Sequence, residues 1–362
     1  MTNRFLTAAL FALAAGTLIS AQAAYKVPRT PWGDPDLSGV YSNDDETGTP
    51  LERPAQFEGR RMEDITPAEL KKINQERTEQ FNAGVAGTEF AGGLRPPTHL
   101  IFDSFERKNS RVWLVTDPAD GKIPALTPEG QQRLRRPQRG VSTNANPLGP
   151  FNSYEDMGLY DRCITRGIPN SMMPAGYGSN YEIEQGQGWA AIRYEMIHET
   201  RVIPLDGRPH LSRNIRLDLG DARGHFEGDT LVVETTNFTE RSVYRGGSQD
   251  LKMTERFKPL SAGAVDWSVT FDDPHTWVRP WTFTMKLTKK DRSQQVYEYA
   301  CRTKRNSHGP PRRGSRYWLR PTCRWSTRRS WQISYCRCPR PLCPRWKSVL
   351  KDRRRDRRAG RF

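Results

Sequence analysis

The sequence predicts a mainly β protein: an antiparallel meander closing as a lipocalin-like barrel or sandwich, with short surface helices. Three observations carry that expectation. From Tyr181 to Ala300, short segments of alternating apolar and polar residues recur at a regular spacing. Turn pairs such as Asp206-Gly207 and Gly228-Asp229 separate them. Helical signals are confined to two stretches before residue 136.

In chain order, residues 1–23 read as a secretory signal peptide. Arg4 gives the positive start, Leu6 to Ile19 the apolar stretch, and Ala21-Gln22-Ala23 the small-x-small cleavage site. An uncleaved anchor helix is the alternative, but the apolar run is short for a span, and no other window approaches the roughly 18 apolar residues a span needs. The mature chain is therefore expected to be periplasmic or secreted. Residues 24–37 are Pro-rich and read as an extended arm on the domain. Residues 38–301 form the β-rich domain, with helical and loop insertions near its start. Leu37 to Tyr41 is a short strand. Thr66, Pro67 and Glu69 stand as N-cap, N1 and N3 of a helix over 66–82, whose thin apolar stripe (Leu70, Ile73, Thr78, Phe81) places it on the surface. Arg111 to Thr116 reads as a strand, and Thr127-Pro128-Glu129 opens a second helix.

The β series then runs through 181–185, 188–197, 202–205, 225–227, 230–236, 251–257, 264–271, 281–287 and 296–300. Ile215 to Leu219 fits a strand or a short helix. These strands have one apolar and one mixed face, and a closed barrel built from them suits a small ligand.

The formal charge of +16 suggests nucleic acid, but its distribution argues otherwise. Residues 302–362 hold 21 Lys and Arg against two acidic residues, whereas residues 1–301 hold 36 basic and 39 acidic ones. The tail has only six Leu, Ile, Val and Phe in 61 residues, too few for a core. It fits a disordered basic arm for polyanions, or a metal knuckle on Cys323, Cys336, Cys338 and Cys343, although the spacing matches no common zinc pattern. The favoured reading is a frame error in a GC-rich gene, which accounts for Arg, Pro, Cys and Trp replacing β patterning after Cys301. Outside the tail stand only Cys163 and Cys301, read as an exported disulfide or as two buried thiols.

Gly220-Asp221-Ala222-Arg223-Gly224-His225-Phe226-Glu227-Gly228-Asp229 continues through Thr230-Leu231-Val232-Val233-Glu234-Thr235-Thr236-Asn237-Phe238. With Pro35 to Val40, Asp117 to Gly130, Asp161-Arg162-Cys163, Glu195 to His198, Ile203 to His210, Asp272-Asp273-Pro274 and Tyr297 to Cys301, this run resembles a large family of exported, mostly uncharacterised bacterial proteins. The resemblance covers nearly the whole mature body and implies no nameable activity. Members continue after the last motif with a short acidic segment, where this chain has Arg302-Thr303-Lys304-Arg305.

Candidate chemistry lies in polar residues of the β body. His198 or His210 would serve as general acid or base, Glu195 or Asp161 would orient it, and an arginine would hold an anionic or carbonyl group. Arg162, Tyr194, Arg201, Arg208 and Trp281 are the candidate ligand contacts. The plainer alternative makes these side chains salt bridges and turn hydrogen bonds that fix the barrel. If 188–201 is one extended stretch, Tyr194 and His198 face one way and Glu195 and Arg201 the other, so a bulge is needed to unite them. The four scattered histidines, His198, His210, His225 and His275, give no metal pattern, and neither a nucleophile elbow, a phosphate loop nor a dinucleotide fingerprint is present. No cofactor is expected. The expected function is binding of a hydrophobic small molecule of steroid, terpenoid or aromatic type. The alternatives are a cofactor-independent lyase, isomerase or hydratase on the same barrel, or a polyanion binder working through the tail.

Overall fold

The computed structural model describes residues 25–82, 106–135, 158–174, 178–291 and 296. The chain divides between Ser315 and Arg316, and every described residue belongs to the first unit. The signal peptide, most of Val296 to Ala300, Cys301 and the basic tail lie outside the described residues.

The β pattern folds as a nearly closed antiparallel barrel. Its strands are β1 (Gly39–Ser42), β2 (Val115–Asp117), β3 (Asn180–Gly186), β4 (Trp189–Tyr194) and β5 (Thr200–Pro204). They continue as β6 (Asp221–Glu227), β7 (Thr230–Thr236), β8 (Lys252–Ser261), β9 (Ala264–Asp272) and β10 (Trp281–Lys289). Nine of them run in the order β5-β4-β3-β1-β10-β9-β8-β7-β6, and β2 shares the edge of β10 with the short β1. Every ladder along this path is antiparallel. An odd number of alternating strands leaves its two end strands parallel, and β5 and β6 meet at a seam where no ladder is formed. Gly224 lets that seam close: a Cβ there would stand 2.6 Å from Leu205 Cδ2 and 2.9 Å from Ile203 Cγ2.

Period-two patterning fills the interior. On β9, Val265, Trp267, Val269 and Phe271 point inward, while Asp266, Ser268 and Thr270 do not; on β10, Trp281, Phe283, Met285 and Leu287 do the same. Phe271 stacks on Trp281 with ring centroids 4.4 Å apart, and Trp267 meets Phe283 edge-on at 5.4 Å. These rings pack on one another as an aromatic core along the β9 and β10 wall.

Among the described residues there are two α-helices, α1 (Pro67–Asn82) and α2 (Pro128–Arg135). Thr66 Oγ1 accepts from the Glu69 amide at 3.2 Å, as its N-cap position predicts. Glu69 does not complete the capping box. Its carboxylate binds Arg60 at 2.5 and 2.8 Å instead. Ile73 of α1 packs on Phe57, Val112 and Trp113, a small second core outside the barrel. Of the expected 111–116 strand only Val115 and Thr116 join the sheet, as part of β2, and the Leu114 amide before them donates to the loop at Pro50 and Leu51. Ile215 to Leu219 is neither strand nor helix; Leu217 makes one isolated bridge to Phe238. The N-terminal arm is not straight. It turns at Thr30 to Asp34 and is pinned by Gln185, which accepts from the Leu37 amide and donates to the Pro35 carbonyl.

The expected long strand from Gly188 to Ile197 ends at Tyr194. Ile197 and His198 take left-handed φ values of 66° and 57°, and the Tyr194 amide donates to the Glu199 carbonyl at 2.9 Å. A hairpin turn therefore stands where a bulge was needed, and it brings Tyr194 and Arg201 to the same inner face.

Candidate functional site

A polar group of atoms sits inside the barrel at the mouth where β4 ends and β5 begins. Arg201 and Glu255 are both almost fully buried, and Arg201 Nη1 donates to Glu255 Oε2 at 2.6 Å. The pair links β5 to β8, which are not neighbours in the sheet. Trp267 Nε1 donates to the other carboxylate oxygen at 3.2 Å. Tyr194, wholly buried, lies within electrostatic reach of Arg201 and Glu255. Its ring meets Tyr181 edge-on at 6.4 Å.

Several donors in this interior stay unused. Arg201 Nε and Nη2, Tyr194 Oη and Thr235 Oγ1 are buried with no hydrogen-bond partner. Burial by itself would lower the Arg201 pKa, but the Glu255 carboxylate outweighs it and keeps the guanidinium charged. Burial raises the Tyr194 phenol well above its ordinary value, against the opposing pull of Arg201, so it remains a donor.

Glu199 stands at the rim of the same mouth. Its carboxyl is pushed up to about 7, chiefly by burial. The Thr165 hydroxyl, which donates to it at 2.5 Å, and the Arg201 charge act in the opposite direction, while Asp218 adds to the rise. Thr239 ties Asp218 to Ser242, with contacts of 2.6 and 2.9 Å.

Of the residues nominated from sequence, Tyr194 and Arg201 belong to this site. Glu195 does not orient a histidine; it accepts from the Asn180 amide and side chain, which secures the start of β3. His198 is exposed and makes no hydrogen bond or ion pair among the described residues. Asp161 is likewise exposed, and Arg162 lies beside it on the same loop. His210 contacts neither Glu195 nor Asp161: its Nδ1 lies 2.9 Å from Asp221, which also accepts from Arg223 and from the Leu211 amide. That cluster lies on the seam connection. Arg208 pairs with Asp206 across its own exposed turn, and this pushes the Asp206 carboxyl down to about 2. Trp281 is buried in the aromatic core between Phe271, Trp277 and Tyr244. Cys301 lies outside the described residues.

Sequence reasoning missed Glu255, Glu199 and Asp221 as partners. Glu255 had a readable signal: it occupies the inward register of β8 between Met253 and Phe257, where a charge is out of place unless paired. Glu199 had none, since its burial depends on the turn before it and on the 158–174 loop.

The opposite mouth holds a small depression lined by Val27, Leu37, Tyr41, Pro259, Val265 and Lys289, with Tyr25 and Asp36 of the N-terminal arm on its border. Among the described residues no group of three or more His, Cys, Asp and Glu could hold a metal ion, and no helix is long and apolar enough to cross a membrane.

No protein-family model and no curated protein sequence matches the chain. Among solved structures, a secretary abundant heat soluble (SAHS) protein from Ramazzottius varieornatus is similar over 36% of this chain and 86% of its own, at 11% identity and a TM-score of 0.22. That likeness is too slight to bear on function.

Proposed function

We propose that this chain is an exported protein that binds one hydrophobic small molecule within the barrel, its polar end held by Arg201 and Tyr194. The supporting observation is the set of unused donors in an aromatic interior. Each buried polar group left without a partner costs about 1–3 kcal/mol. Three on two adjoining side chains are a cost that folding leaves uncompensated and that a ligand oxygen offsets. The Tyr181 and Tyr194 rings beside Arg201 suit a flat body of steroid, terpenoid or aromatic type. The test is titration of the full chain with representatives of these three classes, followed by tryptophan fluorescence. Saturable one-to-one binding of at least one class is expected, and a flat response to all three contradicts the proposal.

A second reading, an enzyme on the same scaffold, is favoured by Glu199. A carboxyl that titrates near neutrality beside a fixed arginine is suited to exchanging a proton with a bound ligand. Turnover with a pH profile turning near 7 that is lost in Glu199→Gln supports it, and binding without any product formation opposes it.

We also propose that residues 1–23 direct export to the periplasm or medium and that the chain belongs to the exported bacterial family it resembles. A Cys163–Cys301 bridge fits this compartment. Cys163 is disulfide-bonded, and closing so long a loop contributes on the order of 4 kcal/mol in the chain-entropy treatment. The basic tail is proposed to be a frame-error product, which leaves nucleic acid without a role. Resequencing the gene across the codons for Glu298 to Asn306, with the intact mass of the exported protein, tests both points.

A further inference from the structure

We infer that the ligand presents a neutral carbonyl-type oxygen, as in a ketone, quinone or lactone, rather than a carboxylate, to the Nε/Nη2 edge of Arg201 and the Tyr194 hydroxyl. This rests on the binding reading above and specifies its chemistry. The unused groups decide the polarity. Arg201 Nε and Nη2 can only donate, and the Tyr194 phenol has a proton to give. Both Glu255 oxygens are already engaged, one by Arg201 Nη1 and one by Trp267 Nε1. The ligand atom that completes this set is therefore an acceptor.

Charge decides between acceptors. The Nε and Nη2 hydrogens point in parallel from one edge of a planar guanidinium, a geometry that accepts two carboxylate oxygens or converges on one oxygen. Standing alone, such an edge favours a carboxylate. Here Glu255 already neutralises Arg201 in the same buried space, at 2.6 Å. A second anion would leave one uncompensated negative charge in a low-dielectric interior, where burial of an unpaired ion is costly. Glu199 at the rim, once ionised, would oppose it further. A neutral oxygen takes the same donors without adding charge.

The aromatic surroundings favour a rigid apolar body behind that oxygen. Tyr181 and Tyr194 meet edge to face, and the Trp267 indole is held in place by its bond to Glu255. No charged side chain other than the Arg201–Glu255 pair shares the buried inward face of β4, β5, β8 and β9.

The experiment uses three probes of one skeleton: a saturated steroid hydrocarbon, its monoketone and its carboxylic acid. Each is titrated into the full chain, into Tyr194→Phe and into Arg201→Lys. Tyr194→Phe removes one hydroxyl without changing shape, and Arg201→Lys keeps a charge for Glu255 but removes the forked edge. The ketone is expected to bind roughly tenfold tighter than the hydrocarbon, and the acid weaker than the ketone. Tyr194→Phe is expected to weaken the ketone roughly three- to tenfold and to leave the hydrocarbon unchanged. Arg201→Lys should act on the ketone in the same direction. The carbonyl stretch of the bound ketone should move to lower frequency, and part of that shift should vanish in Tyr194→Phe. Equal binding of ketone and hydrocarbon, or tighter binding of the acid, overturns this inference and leaves the binding reading standing. Failure of all three probes overturns this inference, while the binding reading stands or falls by the titration with all three ligand classes.

Discussion

Two buried carboxylates in this protein are held in opposite ways. Asp273, at the end of β9, accepts from the Ser248 amide and hydroxyl, the His275 amide and the Thr276 hydroxyl, at 2.6–3.1 Å. All four donors are neutral: two lie within three residues of Asp273, and two are on one facing loop residue, Ser248. The group is complete, and it clasps the 247–250 loop to the turn before β10. Glu255, in the middle of β8, is held by a buried arginine from a distant strand and by one indole. That arginine keeps two donors unused. A polar cluster that exists to fix a loop satisfies itself with local groups. A charged pair placed across an apolar barrel with donors left over is what the proposed binding draws on.

The first way to break the comparison is Glu255→Gln. It leaves Arg201 charged and unpaired in the interior, and the expected loss is about 3–5 kcal/mol in denaturant unfolding. Asp273→Asn keeps one acceptor oxygen and puts an NH2, which cannot accept, opposite the other two donors, but it strands no opposite charge, so about 1–3 kcal/mol is expected. Equal losses at the two sites would erase the distinction.

Glu199 sharpens the comparison through pH. Its folded value, raised from 4.5 to about 7, means that the native state holds a proton the unfolded chain has released. Its contribution is fully present below the ordinary carboxyl value and is lost as pH climbs through about 7. The expected fall in unfolding free energy across that window is on the order of 3 kcal/mol. Glu199→Gln should flatten this part of the stability profile, whereas Asp273→Asn should not. The smallest effect belongs to the surface: Thr66→Ala at the α1 N-cap should cost about 1 kcal/mol and leave ligand affinity unchanged.

The barrel was legible wherever residues alternate without interruption. β9 and β10 follow the expected pattern because each inward position is a large apolar residue, and the Asp206-Gly207 and Gly228-Asp229 turns carry their own chemistry. The turn at 195–199 was illegible for a physical reason. Ile197 and His198 adopt left-handed backbone that β-branched and bulky residues rarely take, so no Gly, Asn or Asp marks it. Missing that turn separated Tyr194 from Arg201 in the sequence reading, although both were nominated. The histidines misled in another way: His198 is exposed, and the partner of His210 is Asp221, eleven residues along the chain and brought near by the seam between β5 and β6. Glu255 was readable only by asking why a charge stands in an inward register, and its partner across the barrel could not be named without the closure.

The most direct measurement is the double variant Arg201→Met with Glu255→Leu, which replaces the buried pair by apolar side chains of similar size. Its thermal unfolding and its ketone-against-hydrocarbon preference are measured beside those of the parent chain. If the pair serves binding, the variant should melt at or above the parent temperature, since apolar replacement of a buried ion pair is often neutral or stabilising, and the preference should disappear. A variant that unfolds as readily as Glu255→Gln, or one that keeps the preference, would contradict the account.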